Sequence, residues 1–314
     1  MTRRRVLIVG GSGFVGAHLA QRCIAGGHDV HVLARPGGDA PRLAPLGDTI
    51  TIHRVVSNDP AAIMACLDRL APEWIFDLTG NTASRHSAGV ADLVDAADSI
   101  RRLTTLIQAA SLCRQPPLAF IRTGSIAEYG AGPVPYREHQ REQPVTAYGA
   151  GLVAGTHLAG MIAPSLRFPL STARLALIYG SGQDPSFLIP SLIEAVLSSQ
   201  QFRMRRPEDR RDVLHVSDVV DALVRLAEEP PAAGAIVNIG SDMSISVDDI
   251  AALVGRVAEV RPRWNRDEQL EMTEHRMSVD RIRAGWGWVP KMTMTRGIAA
   301  TIADRRVSAM TVAA

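Results

Sequence analysis

Continuous apolar runs alternate with stretches of helical spacing along most of the chain. Residues 5–9 (RVLIV) form a β-branched run, GGSGFVG follows, and AHLAQRCIAGG has a helical period that stops at Gly26-Gly27. Strands are predicted over 28–35 (HDVHVLAR), 49–56 (TITIHRVV) and 74–78 (WIFDL), with a helix over 61–70 before the last. A long helix over 91–112, a strand over 118–124 (LAFIRTG), a helix starting near Ala147 and a strand over 171–180 (STARLALIYG) complete this half. A strand with one wet face alternates apolar with polar residues. These runs do not alternate, so helices cover both faces of their sheet and the strands run parallel. The predicted fold class is α/β, a doubly wound parallel sheet with a smaller C-terminal lobe.

After Gly180 the rhythm loosens. Residues 180–190 (GSGQDPSFLIP) have loop character, 191–198 are helical, and 200–211 are charged and irregular. A strand over 212–216, a helix over 217–229, a short strand over 236–240 and a helix over 247–259 follow. The chain is then polar from Arg261 to Trp286 and Trp288, which alternate around Gly287 as packing anchors, and a final helix is expected near 296–306. At 314 residues, two connected domains are expected: 1–180 with 205–240 returning to it, and 181–314 forming mainly a second lobe.

Charge narrows the class of partner. Basic and acidic residues number 34 and 32 and the arginines are scattered, so there is no basic stripe for nucleic acid. No apolar stretch approaches the roughly 20 residues needed to span a bilayer. The run Arg3-Arg4-Arg5 precedes a strand rather than a signal-peptide core, so a cytoplasmic protein with no membrane partner is expected. Cys23, Cys66 and Cys113 lie in apolar helical patterns without zinc or disulfide spacing and read as buried hydrophobes. His139, His157 and His215 are far apart and form no metal-binding pair, so no metal is expected. Lys291 is the single lysine.

Gly10, Gly13 and Gly16 lie between the first strand and first helix, spaced close to the dinucleotide fingerprint but with a longer first interval. A pyrophosphate reaches a helix N-terminus only where no Cβ shields the backbone N–H groups, and the helix dipole then favours its charge. The second strand ends Leu33-Ala34-Arg35. A carboxylate there would hold a ribose 2′-hydroxyl and repel a 2′-phosphate. Ala34 with Arg35 instead accepts the phosphate, which favours NADP, with NAD as the other possibility.

With this turn, Ser125-Ile126-Ala127-Glu128-Tyr129-Gly130 and Ala147-Tyr148-Gly149-Ala150-Gly151-Leu152 make the chain resemble the extended short-chain dehydrogenase/reductases, a Rossmann-fold group of nucleotide-sugar epimerases, dehydratases and reductases. RLALIYGSG from Arg174, RDVLHV from Arg211, NIGS from Asn238 and GWVP from Gly287 fall in the family's order, so the resemblance spans nearly the whole chain. It implies Tyr148 as the acid/base and Ser125 as a hydrogen-bonding partner of the same substrate oxygen. It also implies cofactor contacts from Gly10, Gly13, Phe14, Val15, Gly16, Ala34, Arg35, Leu78, Thr79, Gly80 and Tyr148. Substrate contacts are implied at Ser125, Leu177 and Arg211, the last toward a pyrophosphate. The implied partner is a nucleotide sugar, and the long helices imply a homodimer.

Two departures stand out. The family's lysine, which lowers the tyrosine pKa and holds the nicotinamide ribose, is Leu152 here, and Leu177 replaces an asparagine common in the family. Where family dehydratases carry Asp-Glu, this chain has Ile126 and Ala127, which argues against dehydration. Two functions are therefore expected in competition. One is an NADP-dependent reductase or C4 epimerase of a nucleotide sugar. The other is a dinucleotide-binding regulatory or weakly active protein without efficient hydride chemistry. In a catalytic protein, a water chain, the helix dipole or the oxidised nicotinamide would have to stabilise the Tyr148 phenolate.

Overall fold

In the computed structural model, which describes residues 2–56, 59–80, 92–267 and 271–313, the first apolar run is the central strand β1 (Arg5–Val9). The chain continues through α1 (Phe14–Ala25), β2 (Asp29–Ala34), β3 (Ile50–Arg54), α2 (Pro60–Leu70), β4 (Trp74–Asp77) and α3 (Asp92–Leu112). The expected start of α3 at residue 91 lies outside the described residues. Next come β5 (Ala119–Ser125), α4 (Ala147–Ile162) and β6 (Leu170–Leu175). Local chemistry sets the helix starts: Asp59 caps α2 by accepting from the Ala62 amide ahead of Pro60, and Thr146 caps α4 through the Gly149 amide.

The expected strand over 171–180 is two strands in two sheets, β6 and β7 (Leu177–Tyr179). The chain changes partner between adjacent amides: Ala176 donates to the Ile239 carbonyl, and Leu177 donates to that of Asp212. Helix α5 (Leu188–Leu197) begins within the stretch expected to be loop. The stretch expected to be irregular forms β8 (Gln201–Met204) and β9 (Arg210–Arg211), which precede β10 (Val213–His215) and α6 (Val216–Glu228). After β11 (Ile236–Ile239), β12 (Ile245–Ser246) and α7 (Val247–Ala258), the polar stretch supplies β13 (Arg263–Arg266) and β14 (Glu274–His275). These two pair in parallel with β8 and β9, across long sequence separations that local patterning does not encode. Helices α8 (Asp280–Trp286) and α9 (Met294–Ala313) complete the chain.

The main sheet has seven strands in the order β11-β6-β5-β4-β1-β2-β3, every pair parallel. The order reverses between β1 and β4, the switch point where open α/β sheets bind ligands at the carboxyl ends of their strands. Helices α1 and α6 cover one face in a core with Val6, Ile8 and Ile121. Helices α2, α3 and α4 cover the other with Leu7, Ile75 and Phe120. The three cysteines are buried. Trp288 is buried in the α1–α6 core and Trp286 packs against it, so the tryptophan pair anchors the C-terminal segment to the main sheet. A third core joins α5, α7 and α9.

Several charged groups are enclosed in this architecture, Arg174 among them. Arg174 on β6 is fully buried and pairs with Glu128 at 2.9 Å and with Glu142 at 2.5 Å. Desolvation pushes the Glu142 carboxyl upward, but bonds from Arg174, from backbone and from His157 outweigh it and hold the group below its ordinary value. Arg174→Met should cost about 3–5 kcal/mol, because it strands two carboxylates, and should be read as a lower urea midpoint. A depressed folded-state pKa gives stability that is complete above the unfolded value of 4.5 and is lost as pH falls through the lower folded value. Urea midpoints of the unmodified protein should therefore drop more steeply below pH 4.5 than those of Glu142→Gln.

Candidate active site

The glycine turn after β1 is built by close approach. Gly10 has φ +82°, and a Cβ there would lie 2.9 Å from the Leu78 carbonyl carbon and oxygen. A Cβ at Gly16 would sit 2.4 Å from the Gly10 oxygen, and one at Gly13 would sit 3.2 Å from it. Gly11, which the spacing does not single out, lies against Val32, where a Cβ would meet Cγ1 at 2.7 Å. Phe14 and Val15 begin α1 and pack against the α1–α6 core. Unlike α2 and α4, α1 has no side-chain cap at its N-terminus, where Gly13 stands. The turn is thus a Cβ-free cradle at an uncapped helix start, which fits a dinucleotide pyrophosphate.

Two neighbouring segments border this cradle. The end of β2 carries half-buried Ala34 and exposed Arg35. Arg54, the β3 partner of Ala34, donates to the carbonyls of Gly38 and Arg35 and holds the following loop. At the end of β4, buried Asp77 accepts from the Thr79 amide at 3.0 Å and from its hydroxyl at 2.6 Å, fixing the Leu78-Thr79-Gly80 turn beside Gly10. Burial pushes the Asp77 carboxyl upward, against those bonds and the charge of Arg122.

Ser125 ends β5. Its hydroxyl oxygen accepts from the Ala127 amide at 3.2 Å, and its amide donates to Glu128 at 3.1 Å, so a short turn holds the serine. Ile126 in that turn is core and Glu128 is fully buried on Arg174, so these side chains serve the fold. The Ala127 carbonyl lies against Gly149, where a Cβ would be 2.6 Å away, so the serine turn touches the first turn of α4 beside Tyr148. A recess brings Tyr148 and Leu152 together with Thr79 and Gly80, and α3 contributes Asp95, Ala96 and Ser99. The glycine turn, the β4 end, the serine turn and Tyr148 therefore adjoin one another in sequence around the switch point.

The other expected residues lie elsewhere. Leu177 starts β7, half-buried between the α1–α6 core and the third core. Arg211, on β9 beside β14, pairs with Asp209 and donates to Thr273. Lys291 is exposed, with its amide bonded to Asp218 near the start of α6. His157 is exposed and reaches Glu142, and His215 caps α6. Among the described residues, no group of His, Cys, Asp and Glu is placed to hold a metal. No described helix is long and apolar enough to cross a membrane. The loop after Gly180 turns back toward α1 and the segment between β2 and β3: the His18 ring meets the Ser181 carbonyl at 2.8 Å, and Arg42 donates to that of Gly182 at 3.0 Å.

The residue that the sequence reading missed is Arg122, in the middle of β5. It is 5% exposed, donates to the Leu152 carbonyl at 3.0 Å, and donates to the Thr156 hydroxyl at 2.7 Å. The Thr156 hydroxyl in turn donates to Glu128 at 2.7 Å. The signal was available: an arginine inside an apolar central strand must be buried, and a buried cation needs partners.

Known proteins with this arrangement place the chain. It is 28% identical to the UDP-glucose 4-epimerase of Mycolicibacterium smegmatis over 95% of this chain and 97% of that one. It is 26% identical to the dTDP-6-deoxy-L-talose 4-dehydrogenase (NAD(P)(+)) of Kitasatospora kifunensis, over 94% and 93%. The fold matches the Thermus thermophilus UDP-glucose 4-epimerase solved in complex with NAD, with TM-score 0.84 and 21% identity over 96% of this chain and 99% of that one. The model of the NAD dependent epimerase/dehydratase family matches residues 6–240, from β1 through the glycine cradle, the serine turn and Tyr148 to the end of β11. A match over that span, on a sheet that sets the cradle beside the serine and the tyrosine, makes this chain a member of the NAD dependent epimerase/dehydratase family.

Proposed function

We propose that this protein is an NADP(H)-dependent enzyme acting at C4 of a nucleotide-activated sugar, by C4 epimerisation or by reduction of a 4-keto group. The observation that carries this reading is the recess where Tyr148 meets the Thr79-Gly80 turn, beside the Cβ-free glycine cradle. When bound, the nicotinamide supplies a hydride acceptor and donor. Gly10, Gly13 and Gly16, with Phe14 and Val15, would hold the pyrophosphate at the start of α1, and Leu78, Thr79 and Gly80 would border the ribose and nicotinamide. The Tyr148 hydroxyl exchanges a proton with the sugar C4 oxygen. Ser125 orients that oxygen with its hydroxyl proton, since its oxygen already accepts from Ala127. Arg211 would hold the substrate pyrophosphate, and Leu177 would face the sugar. Core Ile126 and small Ala127 leave no carboxyl after Ser125 for a dehydration step.

The relatives support the substrate class: the M. smegmatis protein is a UDP-glucose 4-epimerase, and the K. kifunensis protein acts on a dTDP sugar with NAD(P)(+). One observation favours a second reading, a dinucleotide-binding protein without efficient hydride chemistry: Leu152 lines the recess where the family lysine would stand. The domain division proposed is a dinucleotide-binding unit of residues 1–180 with 205–240, and a substrate lobe formed mainly by 181–314. β11 lies in the main sheet, in keeping with that division. A cytoplasmic location goes with this chemistry, whose cofactors and activated sugars are intracellular.

Cofactor choice rests on Ala34 and Arg35, with Arg54 holding the loop beside them. NADP(H) should bind more tightly than NAD(H), and Arg35→Asp should reverse the order in calorimetric titrations. Equal dissociation constants in the unmodified protein would remove the assignment. Tyr148→Phe should lower turnover of UDP- or dTDP-linked 4-keto or 4-hydroxy sugars by about 10²–10⁴-fold while leaving cofactor affinity nearly unchanged, and Ser125→Ala should cost less. Full activity in Tyr148→Phe would overturn the proton-transfer role, and absence of turnover in the unmodified protein would favour the second reading. A homodimer is proposed through α3 and α4, which pack closely at Ala96 and Gly151 and expose Leu93, Val94, Leu112 and Met161. Light scattering at micromolar concentration should give twice the 33.7 kDa chain mass, and a monomeric mass would count against it.

A further inference from the structure

The family lysine is missing at position 152, yet a cation lies beneath the same turn of α4. Arg122 reaches from β5 under the helix and bonds the Leu152 carbonyl itself, at 3.0 Å. Gly155 makes the room: a Cβ there would stand 2.6 Å from the arginine Nη2. Within the first two turns of α4, one face thus presents Tyr148 and Leu152 to the recess while the guanidinium sits below.

Among the described residues, the charge of Arg122 is not consumed by an ion pair. Its side-chain bonds to the described residues go to neutral oxygens, those of Leu152 and Thr156. The nearby carboxylates are engaged elsewhere: Glu128 pairs with Arg174, and Asp77 holds the Thr79 turn. A guanidinium buried to this degree among neutral partners is costly, and burial pulls its pKa below the free value while Glu128, Asp77 and Tyr148 favour its charged form. Arginine nonetheless remains protonated in proteins. The interaction with Tyr148 is mutual, so a positive charge at Arg122 stabilises the phenolate of Tyr148.

We propose that Arg122 is a positioning residue that supplies Tyr148, from below the helix, with the positive charge that Leu152 does not. This rests on the reading of Tyr148 as the proton-transfer group. It separates the two tasks that the family lysine combines. Arg122 is enclosed under α4 and sets only the phenol's ionisation, leaving the nicotinamide ribose to backbone and solvent. Among the described residues, the charged groups around Tyr148 are Asp95 on α3, Arg102 on α3 bonded to Ser99 of the recess, Asp77 at the end of β4, Arg122 on β5, and Glu128 with Arg174 behind it. Arg102, Arg122 and Arg174 set the positive potential there, Arg122 being the one bonded under the turn of α4 that carries Leu152, and Glu128 is neutralised by Arg174.

The protein itself offers a clean titration, because its other three tyrosines, Tyr129, Tyr136 and Tyr179, are buried. Burial pushes Tyr129 up to about 12 and also raises Tyr136 and Tyr179. Ultraviolet difference titration of the cofactor-free protein against Tyr148→Phe therefore reads Tyr148 alone at the lower end. Its midpoint should lie below the free-tyrosine value of about 10. Arg122→Gln should raise it by about one pH unit or more, Arg122→Lys should restore most of the drop, and adding Leu152→Lys to Arg122→Gln should bring it back from the family's position. Gly155→Ala displaces the guanidinium without changing any charge, and should raise the midpoint even where Arg122→Gln does not fold. A midpoint at or above 10 in the unmodified protein, or one that neither Arg122→Gln nor Gly155→Ala moves, would overturn the proposal. No substrate enters the measurement. Failure to turn over nucleotide sugars would count against the proposed function while leaving the Arg122–Tyr148 coupling to be judged by the titration.

Discussion

The Glu128 carboxylate is the interaction on which the site's geometry depends. It accepts from the Ser125 amide, the Thr156 hydroxyl and Arg174, and so binds the serine turn to α4 and to β6. Each partner reaches further: Thr156 to Arg122, and Arg174 to Glu142 in the segment ahead of α4. Arg174 also stacks over Tyr129, whose hydroxyl bonds Asn238 on β11. A carboxylate with no solvent exposure is tolerable only when such partners satisfy it, and the same partners make the arrangement rigid. Tyr148 and Ser125 inherit their relative placement from an acid closed off from solvent.

The cofactor end is organised by a different force. Close approach of backbone, rather than charge, shapes the cradle, where Gly10 meets the Leu78 carbonyl and Gly16 meets Gly10. The two halves join through β4 and β5: Thr123 donates to the Asp77 carbonyl at 3.1 Å, linking the Leu78-Thr79-Gly80 turn to the strand that carries Arg122 and Ser125. A shift in either element would move the cradle and the tyrosine relative to each other. This coupling suits chemistry in which a proton and a hydride leave neighbouring atoms of one substrate.

The arginine-rich composition acquires a structural meaning in this light. Arg174 and Arg122 are both buried, on neighbouring strands, and do different things. Arg174 is matched by two carboxylates and holds parts together. Arg122 is bonded to neutral oxygens, so its field remains available to the phenol above it. Arginine suits such enclosed positions because its delocalised charge is weakly hydrated and cannot be lost at working pH.

Most of the parallel sheet was legible along the chain, because an apolar β-branched run flanked by helical periods has one economical arrangement. The glycine turn, the serine turn and Tyr148 were legible too, since each is a short local pattern whose chemistry needs those residue types at that spacing. The small sheets after Gly180 were not legible: β8 with β13, and β9 with β12 and β14, are short, mostly polar segments that become strands only by meeting partners far away in sequence. Nor was the break at Ala176, where two amides in succession choose carbonyls from different sheets. Leu152 could be read from the sequence as a loss. That a cation from β5 occupies the space beneath it, admitted by Gly155, was decided only when strand and helix were packed together, because electrostatic effects depend on distance through space and burial rather than on order along the chain.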